Sequence, residues 1–246
     1  MANFENDSNA DNEWDDSWET IWNEFDWERY LDVEKDEIRR YQKYYSKLIR
    51  SQSRLDEVAL FMGWENGNST SDPQESVDTS LDAPPDVPYT LHKHPLFVAS
   101  KALHQWLTEK WFQSISLCSD QIASTVALKV QNTIAQSDYY GLLAVTALDL
   151  GDYSLAIAYF KRGLVALNEL LALLLEVEEL NVDALSAYSK QAKIRLFDIR
   201  EIWLRVTADC RAAAARGFEE EESSLSLLGP SRGSRYLPMT FLKSTV

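Results

Sequence analysis

Three histidines and two cysteines are the residues of this chain with the widest chemical repertoire. His92, His94, His104 and Cys118 supply the imidazole and thiolate donors that a tetrahedral zinc site uses. Their surroundings argue against one. His92 and His94 have no acidic neighbour in sequence, and no histidine follows a glutamate by three residues, as a di-metal carboxylate bundle requires. Surface histidines are therefore expected, with no metal and no cofactor. Cys118 and Cys210 each fall inside a helical apolar pattern and read as buried, reduced thiols. The chain also lacks a Gly-rich phosphate loop, a nucleophile elbow and a Cys–His pair with supporting neighbours. It is not expected to be an enzyme.

The aromatic residues point to recognition. Trp14, Trp18, Ile21, Trp22 and Phe25 fall on one face of a helix of period 3.6, with acids on the other face. An acidic segment with an aromatic stripe is suited to docking into a groove, on its own core or on a partner. Residues 1–37 carry fourteen Asp or Glu against Arg29 and Lys35, whereas residues 38–62 carry six basic side chains against Asp56 and Glu57. The two stretches are expected to neutralise each other. A formal charge of −15 disfavours phosphate backbones and anionic lipid, so neither nucleic acid nor membrane is an expected partner. No signal peptide and no apolar run of membrane-spanning length is visible, and a cytoplasmic location is expected.

The elements that must position these residues are helices. Gly and Pro are sparse, and Ala, Leu, Glu and Lys are abundant. Residues 38–62 read as a single helix, with Ile38, Tyr41, Tyr45, Leu48, Gln52, Leu55, Ala59 and Met62 on its seam and Gly63 as its stop. Residues 63–92, with four prolines and no basic side chain before His92, read as a low-order linker. Helices are predicted near 95–108, 110–132, 137–150, 153–178 and 183–216, the last stopped by Gly217. The predicted organisation is an acidic aromatic arm plus basic helix (1–62), the linker (63–92), a helical core (93–218) and an unstructured tail (219–246).

Within that core, residues 137–170 resemble a tetratricopeptide repeat, a helix–turn–helix unit. The match rests on Tyr140, Leu143 and Ala144, then Leu150-Gly151-Asp152-Tyr153, then Ala156, Tyr159-Phe160, Gly163 and Leu164. Small residues at 144, 156 and 163 would let the two helices approach closely. A fainter copy stands upstream, with Ala102, Lys110-Trp111, Ser114-Ile115 and Cys118, where Trp111 takes the place of Tyr153. The resemblance implies an all-α, repeat-like bundle closed by a long C-terminal helix. It also implies a protein or peptide bound in a groove that Asp138, Gly141, Val145 and Leu148 would line.

Taken together, these features predict a protein–protein interaction or scaffolding module. The binding residues would be Trp14, Trp18, Trp22 and Phe25 of the arm and the four groove positions, and a homo-oligomer is compatible with both surfaces. The other reading is a helical bundle that handles a small molecule or metal through residues that spacing does not reveal.

Overall fold

Helices run long in this chain because its turn-forming residues are confined to the joints. The computed structural model describes residues 23–64 and 91–225, with side chains to residue 215. Six α-helices and a 3-10 turn at Leu91–Lys93 make up the described residues, with no strand among them. They are α1 (Glu24–Leu48), α2 (Arg54–Met62), α3 (Pro95–Leu117), α4 (Ser124–Asp149), α5 (Tyr153–Glu179) and α6 (Asp183–Leu225).

Local chemistry sets the boundaries. Asn23 Oδ1 accepts from the Phe25 and Asp26 N–H groups while Asp26 accepts from the Asn23 N–H, a capping box that starts α1. Pro95 occupies the first turn of α3, where its missing N–H costs nothing, and His94 Nδ1 accepts from the Leu96 N–H. Asp152 caps α5 by accepting from the Leu155 N–H, just after Gly151 turns the chain at φ +76°. Gly63 ends α2 at φ +80°, as the sequence predicts.

Several expected boundaries differ. Residues 38–62 are two helices, because the hydroxyls of Ser51 and Ser53 both donate to Glu57 Oε1 and hold a turn where a continuous helix would pass. The break expected near residue 109 is absent. Lys110 and Trp111 lie inside α3, so the fainter repeat copy has no turn there. Likewise α4 runs unbroken through 133–136, and α6 continues past Gly217 to Leu225, taking in the start of the expected tail. Burial explains the continuity of α3 and α4: Trp111, Val130 and Ile134 are wholly inside the core, and packing overrides weak local stop signals.

Helices α3 to α6 form an antiparallel ring. α3 packs on α4 and α6, and α5 closes the ring against the same two helices. α1 lies along the outer flank of α3 and pairs with α2. Its seam residues Ile38, Tyr41 and Tyr45, with Val58 and Met62 of α2, belong to the same apolar core as the ring. The N-terminal helices are therefore integral, and not a tethered appendage.

At the centre of the ring stands Trp203 of α6, fully buried. Its ring lies on two glycines of facing helices. A Cβ at Gly141 of α4 would stand 2.8 Å from Trp203 Cζ2, and one at Gly163 of α5 would stand 2.6 Å from Cζ3. No carbon tolerates that approach, so both positions exclude any side chain while the indole is in place. Phe160 of α5 and His104 of α3 flank it at ring separations of 5.8 and 5.9 Å, and its Nε1–H donates to Ser100 Oγ at 3.3 Å.

This wedge generates a test. Gly163→Ala should cost about 1–3 kcal/mol by overpacking. In a Trp203→Phe background, which removes the atoms nearest the new methyl, the added cost should largely vanish. Chemical denaturation of the four proteins measures the coupling, and an equal cost in both backgrounds would show that Trp203 is not what Gly163 accommodates.

Candidate functional site

Among the described residues, those singled out by spacing do not come together in one place. Trp14, Trp18 and Trp22 lie outside the described residues. Phe25 belongs to the first turn of α1 and is 67% exposed. Of the expected groove positions, Gly141, Val145 and Leu148 are buried inside the ring. At Gly141 the face is occupied by the chain's own α6, through Trp203. Asp138 is half-buried and pairs with Lys101 of α3 at 2.9 Å. Three of these four positions thus lie in the interior, and Asp138 is at its edge.

The histidines also differ from surface residues. His92 Nδ1 is hydrogen-bonded to Glu34 of α1, an acidic partner distant in sequence, and its ring packs on Phe97 at 4.9 Å. His104 is buried. Its Nδ1 lies 2.8 Å from the Ser100 carbonyl, which can only accept, so the proton sits on Nδ1 and Nε2 accepts from Ser137 Oγ at 2.9 Å. Burial holds the His104 imidazole below its ordinary pKa, against an opposing pull from Asp138, whose Oδ1 is 3.9 Å away. His94 is likewise lowered by burial, opposed by Asp149. Among the described residues no three His, Cys, Asp or Glu side chains converge as a metal site would need. Cys118 and Cys210 are free and buried, and burial pushes the Cys210 thiol up to about 11.

What the structure does assemble is an ionic node where α1, α2, α3 and α6 meet. Asp198 of α6, almost fully buried, accepts from Arg54 Nε at 2.7 Å and from Arg54 Nη2, and also from the Tyr45 hydroxyl. Three residues earlier on α6, Arg195 is also buried. Its guanidinium stacks on the Trp106 ring of α3, with Cζ 3.4 Å from the ring centroid, and lies 5.3 Å from that of Tyr45. Burial pushes the Tyr45 phenol well above its ordinary range, with the Asp198 charge adding to it, so the hydroxyl remains a donor. Tyr188, stacked with Trp106, donates to the Leu107 carbonyl at 3.1 Å and is held neutral by burial too.

Sequence reasoning missed this node, yet a signal existed. Tyr188, Ala192, Arg195, Ile199, Ile202 and Val206 follow alternating steps of four and three along the buried face of α6. A charged residue in such a seam must find partners or lie in a special environment. The identity of the groups that surround it, the Trp106 and Tyr45 rings from far upstream, was not readable from spacing.

No family model matches this chain, and neither a curated protein nor a solved structure matches it.

Two outcomes follow from these interactions. Removing Arg54 leaves the Asp198 carboxylate buried with only the Tyr45 hydroxyl, so Arg54→Met should cost about 3–5 kcal/mol in urea or guanidinium denaturation. A cost below about 1 kcal/mol would mean that the pair does not secure α2 to α6. His104 and His94 are held neutral in the fold, whereas the unfolded chain takes up their protons near pH 6.5. Their contribution is complete above that pH and is lost as pH falls from 6.5 through the lowered folded values. Melting temperature should therefore drop over that interval, and the slope should flatten when both histidines are replaced by glutamine.

Proposed function

We propose that this chain is a protein-interaction module whose docking face is the outer side of the α5/α6 pair. The observation that carries the reading is a pair of apolar stripes at helical spacing. On α5, Leu164, Leu171 and Leu175 recur at steps of seven and four, partly buried and then 56% exposed at Leu175. On α6, Phe197 and Leu204 lie two turns apart and are 52% and 43% exposed. The Lys193–Glu178 ion pair at 2.6 Å joins the two helices along these same faces, which places the stripes side by side. Large apolar side chains aligned on neighbouring helices form the type of surface onto which an amphipathic helix packs.

Charge defines the partner further. Arg200 and Arg211 are exposed on the same face of α6 as Phe197 and Leu204. An acidic amphipathic helix complements such a face. The α4–α5 hairpin resembles a tetratricopeptide repeat in its Gly151-Asp152 turn and its small residues at 144, 156 and 163. That resemblance supports a binding role, although the inner face of the hairpin is filled by Trp203 and the outer face remains to receive the partner. The filled interior favours this reading over a bundle that holds a small molecule. Ala156, Phe160, Leu196 and Trp203 are all wholly buried. No helix among the described residues is long and apolar enough to cross a membrane.

The test is affinity capture from the native cell and sedimentation of the purified protein, with the full chain and a Phe197→Glu, Leu204→Glu double variant. Both positions are exposed, so stability should change by less than about 1 kcal/mol. Captured partners and any self-association should be lost together from the double variant. If the same partners are recovered and the same mass sediments, the α5/α6 face is not the docking surface. A version lacking residues 1–22, which leaves α1 whole, separates an acidic arm of a second copy from an external protein as the occupant.

A further inference from the structure

Charge changes sign along α1. Lys35, Arg39 and Arg40 each pair with an acid three residues before them, Asp32, Asp36 and Glu37. The acids of the helix stop at Glu37. Beyond it come Lys43, Lys47 and, just past the last turn, Arg50, at steps of four and three. All three are exposed, and among the described residues none has an acidic partner.

An aromatic shelf adjoins these charges. Tyr44, three residues before Lys47, stacks on Phe61 of α2 with ring centroids 5.4 Å apart and planes 20° from parallel. Tyr44 is half-buried, whereas Phe61 and its neighbour Leu60 are each 57% exposed. Arg40 Nη2 lies 3.5 Å from the Met62 carbonyl, so the end of α2 is held against this stretch of α1. The face thus sets aromatic and aliphatic surface beside three uncompensated cations. A segment that carries both acids and aromatic rings complements it on both counts.

Residues 1–22 are such a segment. They hold seven Asp or Glu and no Lys or Arg, together with Phe4, Trp14, Trp18 and Trp22. The other stretches outside the described residues match less well. Residues 226–246 carry three basic side chains and no acid, so the face repels them, and residues 65–90 are acidic with Tyr89 as their one aromatic. Reach is sufficient. Tyr44 stands twenty residues into α1 from Glu24, about 30 Å along the axis. About nine residues of extended chain span that distance, which brings Trp14 and the acids around it to the shelf.

We propose that residues 1–22 dock on the α1/α2 face of their own chain, with tryptophan rings against Tyr44, Leu60 and Phe61 and carboxylates against Lys43, Lys47 and Arg50. The surface belongs to α1 and α2, and the inference does not rest on the docking face proposed for α5 and α6.

The test is NMR of the full chain, following the ring resonances of Tyr44 and Phe61 and the methyls of Leu60, with Val165, Phe197 and Leu204 as distant reporters. Wild type is compared with a full-length variant carrying Trp14→Ser, Trp18→Ser and Trp22→Ser. Resonances of Tyr44, Leu60 and Phe61 should move between the two proteins, by the same amount at high and low protein concentration, while the distant reporters stay in place. The same comparison is then made in a Lys43→Glu, Lys47→Glu background. Both lysines are exposed, so the melting temperature should hold, and the arm-dependent movement should largely vanish. The proposal is overturned if the three shelf residues do not respond to the arm substitutions, or if their response survives the charge reversal. A response that disappears on dilution would overturn it in favour of the arm of a second copy, and one centred on Phe197 and Leu204 in favour of the α5/α6 face.

Discussion

The packing of this protein turns on one indole. Trp203 enters the ring from α6, rests on Gly141 of α4 and Gly163 of α5, and touches Ser100 and His104 of α3. Four helices are thus spaced by a single rigid side chain. Interiors are packed to crystal density, so the two glycines are a geometric necessity of that arrangement, whatever their cost in helix propensity. The polar edge of the indole brings its own requirement. Its N–H is satisfied by Ser100, whose carbonyl in turn orients His104, whose second nitrogen is satisfied by Ser137. A fully partnered chain of this type favours a single arrangement of the four helices.

A second node joins the α1–α2 pair to that ring. Arg54 and Tyr45 converge on Asp198, and Arg205 of α6 pairs with Asp56 of α2 at 2.8 Å. Desolvation makes such buried ion pairs poor sources of net stability, and their geometric demands make them good sources of register. Here they determine where α2 sits along α6. The same demands leave Arg195 with aromatic faces in place of a carboxylate.

The hairpin of α4 and α5 shows how a local resemblance is reshaped by its surroundings. Its turn is as the sequence predicts, with Gly151 at positive φ and Asp152 capping the next helix. An open stack of such hairpins would leave the face bearing Gly141, Val145 and Leu148 free. In this chain that face is turned into the ring, where Trp203 of α6 lies on Gly141 and Asp138 pairs with Lys101 of α3. The result is a closed ring, with its remaining exposed apolar surface displaced to the outside of α5 and α6.

Helical character, the α5 boundaries, the Gly63 stop and most of the seam from Ile38 to Met62 were legible in the sequence, whereas Gln52, expected on that seam, is exposed in the turn between α1 and α2. Each depends on residues within a few turns of one another, where periodicity and capping act directly. A joint marked only by weak local signals was misread at Lys110-Trp111, since long-range burial of Trp111 decides that the helix continues there. The candidate site was legible only as an anomaly, a charged Arg195 in an apolar seam. Its partners come from positions up to 153 residues away, and chain-distant contacts of this kind leave no trace in spacing. The sequence by itself determined that the chain is helical and where its acid and aromatic residues cluster, because those properties are local. Tertiary structure alone decided that His104 is buried, that the expected groove is filled and that Asp198 answers Arg54 and not Arg195, because each depends on which helices are brought together.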